Sequence, residues 1–129
     1  MTGQELYETA LSLLAAKADE APEYAPHAVA MVNTLLAQTA GINNGLRRQR
    51  GLPPQSELPR IAALSQPLPC EEVLCATALP YGLCAALLPN EQDMQKAVYY
   101  HNLFVSALDD LKRCEAGGVV DVYSGGDAQ

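Results

Sequence analysis

The sequence predicts an all-α protein: a small bundle of about four helices with a long central loop rich in proline, glycine and arginine, and an extended C-terminal tail. Alanine and leucine supply 39 of the 129 residues, whereas valine and isoleucine supply 10, and unbranched apolar residues favour helix over strand. A chain of this length forms one domain. We predict a helical domain over residues 1–118, with residues 41–69 as its central loop, and an extended or disordered tail over residues 119–129.

The first two helices are predicted from start signals followed by apolar residues at helical spacing. Thr2 and Glu5 have the spacing of a capping box, in which each side chain accepts from the other residue's backbone N–H. The second helix is expected to begin between Pro22 and Pro26, because proline is tolerated in a first turn and not later. Gly41 is expected to end it.

The segment 41–69 interrupts the helical pattern with glycines and prolines and reverses the charge of the chain. It holds four of the eight basic residues, which are Arg47, Arg48, Arg50 and Arg60, against Glu57 alone. Its formal charge is therefore +3, while the rest of the chain carries −10. One interpretation is a solvated loop whose arginines aid solubility. The other is a docking arm for an acidic protein surface or for DNA phosphates, anchored by Leu58, Ile61 and Leu64.

The third helix is expected to open near Pro69 and Cys70, with Glu71 and Glu72 in its first turn, where carboxylates complement the helix dipole. Pro80 lies inside this run and predicts a kink or a break into two shorter helices.

The fourth helix has the clearest boundaries, with Asn90 as N-cap and Gly117 after the last turn. We predict that one apolar face of it meets the core, with Phe104 at the edge; this face holds Met94, Ala97, Val98, His101, Val105, Leu108 and Leu111. Tyr99 and Tyr100 are adjacent, so at least one of them points away from the core and is available to an interface.

After Gly117 and Gly118 comes the one β-prone run of the chain, with Val119, Val120, Val122 and Tyr123. A lone strand needs a partner. We therefore predict that this run is extended and docks on a neighbouring subunit.

Catalytic, cofactor and metal-binding patterns are not found in the sequence, so we predict a protein that is not an enzyme and binds no cofactor. The four cysteines are predicted to be reduced and to serve packing, because nothing else marks the chain as secreted. The minor alternative is a nucleophilic Cys75 or Cys84 beside His101. A net charge of −7 argues against general nucleic-acid binding, and the absence of a long apolar run predicts a cytoplasmic protein.

Residues 77–88 read TALPYGLCAALL and precede a long helix with Tyr99, Tyr100 and Phe104. This arrangement resembles the head-to-tail connector (adaptor) proteins of tailed bacteriophages and prophages, in which a leucine, proline, tyrosine, glycine, leucine, alanine segment precedes a long helix. Residues 10–14 and 32–37 are similar to the opening helices of that family, and residues 120–123 to its endings. Cys84 stands where the family more often has alanine, and residues 41–69 match nothing in it.

The resemblance implies a structural function without catalysis. Copies would form a ring beneath the portal, prolong its channel in the virion, and offer a platform to the next tail component, with DNA no more than a non-specific neighbour. An acidic ring wall would repel DNA and let it slide. The alternative function is a small helical interaction or regulatory module of a mobile element, which binds one partner through Arg47, Arg48 and Arg50.

Overall fold

The computed structural model describes residues 1–14, 21–88 and 94–124, with side chains for 1–14, 26–88 and 94–113. Its helices are α1 (Gly3–Leu13), α2 (Ala21–Gln38), α3 (Ala40–Gln49), α4 (Glu72–Thr77), α5 (Leu79–Ala86) and α6 (Met94–Ser124). No strand occurs within these residues. The predicted all-α class is confirmed, but the described residues form six helices where about four were expected.

Helix α5 is the centre of the packing, since it contacts α1, α2, α4 and α6. Its side chains Leu79 and Leu83, and Leu87 at its C-terminal cap, are fully buried. The surrounding helices direct aliphatic side chains against it, among them Leu6, Val32 and Leu74. Gly82 allows this close approach, because a Cβ at that position would lie 2.8 Å from Leu35 Cδ2 and 2.9 Å from Phe104 Cε1.

Helix α1 begins as the sequence predicts. The Glu5 N–H donates to Thr2 Oγ1 at 3.1 Å, and the Thr2 N–H donates to Glu5 Oε1 at 2.8 Å. The N–H donated by Thr2 stabilises the ionised carboxylate and lowers the pKa of Glu5. At the other end, Tyr100 of α6 donates its hydroxyl to the Leu13 carbonyl at 2.8 Å, which satisfies one of the free carbonyls at a helix C-terminus.

The start and end of α2 differ from the prediction. It begins at Ala21, so Pro26 lies inside it. Pro26 has no N–H to donate to the carbonyl four residues earlier, so α2 lacks one hydrogen bond in this turn. Gly41 does not end α2. The chain turns at the buried Thr39, whose hydroxyl donates to the Leu35 carbonyl at 2.8 Å, and Gly41 belongs to α3.

The predicted central loop over residues 41–69 is wrong in its first part, because α3 occupies residues 40–49. Asn43, Gly45 and Leu46 are buried, so tertiary contacts override the weak helix propensity of this glycine- and asparagine-rich stretch. Gly51 ends α3 with a left-handed φ of 75°. The Gly51 N–H donates to the Arg48 carbonyl at 3.0 Å and the Leu52 N–H to the Arg47 carbonyl at 2.9 Å, which is a Schellman motif.

The irregular segment therefore runs from residue 50 to residue 71, and we call it the connection. Asn33 of α2 holds its middle: the Ile61 N–H donates to Asn33 Oδ1 at 2.7 Å, and Asn33 Nδ2 donates to the Ile61 carbonyl at 2.9 Å. Ile61 is buried, as the predicted anchor requires, and Leu64 packs against the core, but Leu58 is 66% exposed and anchors nothing.

The predicted break near Pro80 is confirmed. Helix α4 ends at Thr77 and α5 starts at Leu79, with Pro80 in the first turn of α5, where its missing N–H costs little. Residue 78 lies between the two helices, so the break falls two residues before the proline. This agrees with the steric effect of proline on the preceding backbone.

Helix α6 continues through Ser124, so the extended conformation predicted for residues 119–123 is wrong, as is the helix end at Gly117. Lengthening an existing helix adds one hydrogen bond for each residue fixed, whereas a new strand needs a partner. The predicted N-cap Asn90 and the tail residues 125–129 lie outside the described residues.

The structure also corrects the prediction that every cysteine is reduced, because Cys70 and Cys75 form a disulfide. It links the last part of the connection to α4. Cys84 is a free, buried thiol, as its predicted packing role requires.

Candidate docking surface

One face of α6 carries large apolar side chains that the body of the protein does not cover. Met94 is 59% exposed, Val98 52% and Val105 41%. At 100° per residue these three positions lie within about 40° of one another around the helix axis, so they form a single row, which we call the α6 stripe. The stripe is an apolar surface with helical period that faces solvent.

The α6 stripe corrects part of the predicted core face of this helix, in which Leu111 is buried and Leu108 packs against the core as predicted. Met94, Val98, His101 and Val105 were expected to face the core, but all four are exposed. Phe104, expected at the edge, is buried with Leu111. The aromatic ring of Phe104 fits against Gly82 and Leu35, so the core takes the side of α6 that carries this ring and leaves Met94, Val98 and Val105 exposed.

A groove of about 330 Å³ adjoins this face, between α2, α5 and α6. Its α5 wall consists of the small residues Gly82, Ala85 and Ala86, and its α6 wall of His101 and Phe104. The rings of these two residues lie 6.5 Å apart at a tilt of 53°. The lining contains no carboxylate, ammonium or guanidinium group.

The two adjacent tyrosines point in different directions, as predicted. Tyr99 is 59% exposed and meets Tyr100 edge to face, with ring centroids 5.3 Å apart. Tyr100 is partly buried and stacks on Tyr81 of α5 at 6.5 Å. Burial raises the pKa of its hydroxyl, which donates to the Leu13 carbonyl. Of the two tyrosines, Tyr99 is therefore the one that remains available to an interface.

The four arginines predicted as a docking arm are divided between α3 and the connection. Arg47 donates Nε–H to the Pro53 carbonyl at 2.8 Å, and Arg50 forms an ion pair with the buried carboxylate of Glu71. Arg48 is exposed at the end of α3. Arg60 is exposed in the connection beside Leu58 and makes no ion pair within the described part of the chain.

The arginine region and the tyrosine pair belong to different elements, so the structure does not combine them into one predicted site. Arg47 and Arg50 contact the connection, whereas Tyr99 and Tyr100 contact each other, α5 and α1. The remaining predicted docking residues, Val119, Val120, Val122 and Tyr123, lie on the last turns of α6, and their side chains are outside the described residues.

The alternative of a cysteine nucleophile beside His101 meets two obstacles. Cys75 is held in the disulfide. The Cys84 thiol donates to the Ala10 carbonyl at 3.4 Å in the core, and burial raises its pKa to about 12. A thiolate is the reactive form of cysteine, so this environment disfavours nucleophilic chemistry at Cys84.

A group of polar residues that the sequence did not single out holds the connection onto α3. The Glu71 N–H donates to Oδ1 of the buried Asn43 at 2.7 Å. Asn43 Nδ2 donates to Gln55 Oε1 at 3.0 Å, and the Gln55 N–H donates to Asn44 Oδ1 at 2.9 Å. We call Asn43, Gln55 and Glu71 the polar clasp. The sequence around Asn43 gives no signal of this role, because its partners are 12 and 28 residues away.

Residues 1–14, 21–88 and 94–124 contain no helix long and apolar enough to cross a membrane. The same residues contain no group of three histidine, cysteine, aspartate or glutamate side chains placed to hold a metal ion.

No protein-family model, curated protein or solved structure matches this chain.

Proposed function

We propose that this chain is a structural adaptor of phage virion assembly, which forms a ring under the portal and joins the DNA-filled head to the tail. The observation that carries the proposal is the α6 stripe. Its residues have the spacing of a buried helix face, yet the body leaves them in solvent. Apolar side chains grouped in this way mark sites of protein association. In the ring, an adjacent copy or the portal covers the stripe.

The segment that carries the family resemblance supports the same function. Residues 77–88 include all of α5, whose Leu79 and Leu83 are fully buried and which packs directly on α6. Gly82 within it lets Phe104 of α6 approach closely. The segment thus fixes the rotation of α6, and with it the side of that helix that faces a partner.

The partners of the proposed adaptor are the portal protein, further copies of the chain and the next tail component. The net charge of −7 makes DNA a neighbour that the ring repels rather than binds. Assembly takes place in the bacterial host cytoplasm, and the protein then remains in the virion.

The alternative, a small interaction or regulatory module of a mobile element, depends on Arg47, Arg48 and Arg50 as the binding residues. The intramolecular bonds of Arg47 and Arg50 reduce their availability to a partner. The α6 stripe is an exposed apolar surface that the regulatory module does not use, and it favours the adaptor.

The direct test measures the mass of the chain in solution, alone and with the purified portal protein encoded in the same gene neighbourhood, by light scattering after size exclusion. The adaptor forms a ring on meeting the portal. Indifference to the portal contradicts the proposal and favours the regulatory module, as does a gene neighbourhood without portal and capsid genes.

The sharper test changes the stripe itself. Val98→Asp combined with Val105→Asp places two carboxylates in an interface that must exclude water, so we expect the affinity for the portal or for the next copy to fall at least tenfold, about 1.4 kcal/mol. Val73→Asp is the matched control, because Val73 is 45% exposed on α4, away from the stripe. Equal binding by the double variant and the control contradicts the role of the stripe.

A further inference from the structure

The disulfide lies where three parts of the chain meet. Cys70 lies near the end of the connection, Cys75 lies within α4, and Glu71, the last residue of the connection, belongs to the polar clasp that holds it onto α3. The residue before Cys70 is held as well, since Gln55 Nε2 donates to the Pro69 carbonyl at 2.9 Å. The disulfide therefore closes a short loop at the point where the connection is attached to α3.

The two cysteine residues differ in their exposure to solvent. Cys75 is 1% exposed, whereas Cys70 is partly exposed. A small thiol therefore reaches the sulfur of Cys70 first. Exchange at that sulfur leaves Cys75 as the departing thiolate, inside the fold and beside the polar clasp.

We propose that the pair of Cys70 and Cys75 is a redox-controlled latch, which holds the connection on α3 when oxidised and releases it when reduced. In opening, the thiolate of a small-molecule thiol attacks the Cys70 sulfur, the bond between the two cysteines breaks, and Cys75 leaves and takes up a proton. A second thiol attacks the mixed disulfide and frees Cys70, so two thiols supply the two electrons and become one small-molecule disulfide. Closing is the reverse, with oxidised glutathione as oxidant.

The latch acts on the end of the connection, because Glu71, which lies between the two cysteines, attaches that end to α3. Glu71 bonds through its N–H to Asn43 and through its carboxylate to Arg50. Once the disulfide opens, residues 70–71 gain backbone freedom, and these bonds break more often. Helix α5 is held by the burial of apolar side chains instead, so local unfolding of α5 does not depend on the disulfide.

The proposed function places the chain in a reducing cytoplasm, where disulfides are mostly transient and redox-sensing. The latch would then be open before assembly and closed after exposure to an oxidising exterior. The tests below use the isolated full-length chain, so a failure of the latch and a failure of portal binding are separate results.

The test is hydrogen exchange measured by mass spectrometry on a Cys84→Ser, Cys114→Ser variant, in which only the pair can react. The variant is compared after oxidation by oxidised glutathione and after reduction by a phosphine. We expect amide exchange at residues 70–71, the end of the connection beside the bond, to be at least tenfold faster in the reduced form, while exchange in α5 stays the same. Intact mass shows whether the bond has formed.

A further substitution of both Cys70 and Cys75 by serine gives the matched control, which we expect to exchange fast under both conditions. Three outcomes overturn the latch: the oxidised variant fails to lose the mass of two hydrogens, exchange at residues 70–71 is equal in the two forms, or the serine control keeps the redox dependence. If the serine control does not fold, the oxidised and reduced forms of the Cys84→Ser, Cys114→Ser variant still decide the question.

Discussion

Helix α5 and the connection over residues 50–71 are both central to this fold, but different forces hold them. The buried side chains of α5 and its cap, Leu79, Leu83 and Leu87, are aliphatic and fully enclosed. The connection buries few large apolar side chains, and Asn33 and the polar clasp hold it by hydrogen bonds. Burial tolerates exchange among apolar residues of similar volume. A buried side-chain amide with two hydrogen-bond partners tolerates almost no substitution.

The largest effect is expected in α5. Leu83→Ala removes a fully buried side chain from the helix that four others contact, so we expect the free energy of unfolding to fall by about 3 kcal/mol. Chemical denaturation measures it. Leu58→Ala, at a position 66% exposed in the connection, serves as control and is expected to change stability by less than about 0.5 kcal/mol. Similar losses at the two positions would show that apolar burial does not distinguish the two regions.

The next effect tests the polar clasp. Asn43→Ala leaves the Glu71 N–H without its acceptor and Gln55 Oε1 without its donor, in a place where Asn43 itself is 1% exposed. We expect a loss of about 2 kcal/mol, because a buried polar group without a partner bears its full desolvation cost. The measurement is the same denaturation midpoint, together with faster hydrogen exchange over residues 50–71. If Asn43→Ala leaves stability unchanged, water replaces the Asn43 side chain as hydrogen-bond partner, and the polar clasp does not require asparagine at this position.

The same contrast explains which parts of the fold the sequence predicts. The start of α1 follows from Thr2 and Glu5, and the break before α5 from Pro80, since both signals act within one turn. Helix α3 was predicted as loop, because Gly41, Gly45 and the asparagines disfavour helix locally, whereas its stability comes from distant contacts through Asn43 and Leu46.

The candidate docking surface was predicted only in part. Leu111 is buried as predicted, but Met94, Val98 and Val105 were assigned to the core and are exposed, since apolar period alone does not say which side of α6 the core takes. The disulfide depends on bringing Cys70 and Cys75 together at the start of α4, which no spacing rule indicated. Tyr99 was found because adjacent helix positions point about 100° apart.

The smallest effects come from two glycines at the two ends of α3, and they separate backbone strain from packing. A Cβ at Gly51 or at Gly41 would meet no atom within 4 Å. Gly51 has a left-handed φ of 75°, so Gly51→Ala is expected to lower the free energy of unfolding by about 1 kcal/mol. Gly41 lies in ordinary helical conformation in α3, so Gly41→Ala is expected to raise it by about 0.5 kcal/mol, through helix propensity and reduced freedom of the unfolded chain.

Thermal melting of the two variants beside the parent chain measures both. If Gly51→Ala destabilises the protein and Gly41→Ala stabilises it, the backbone conformation at Gly51 sets the end of α3 and the start of the connection. A stabilising Gly51→Ala would instead show that the Schellman turn is not required, and that the polar clasp alone directs the chain out of α3.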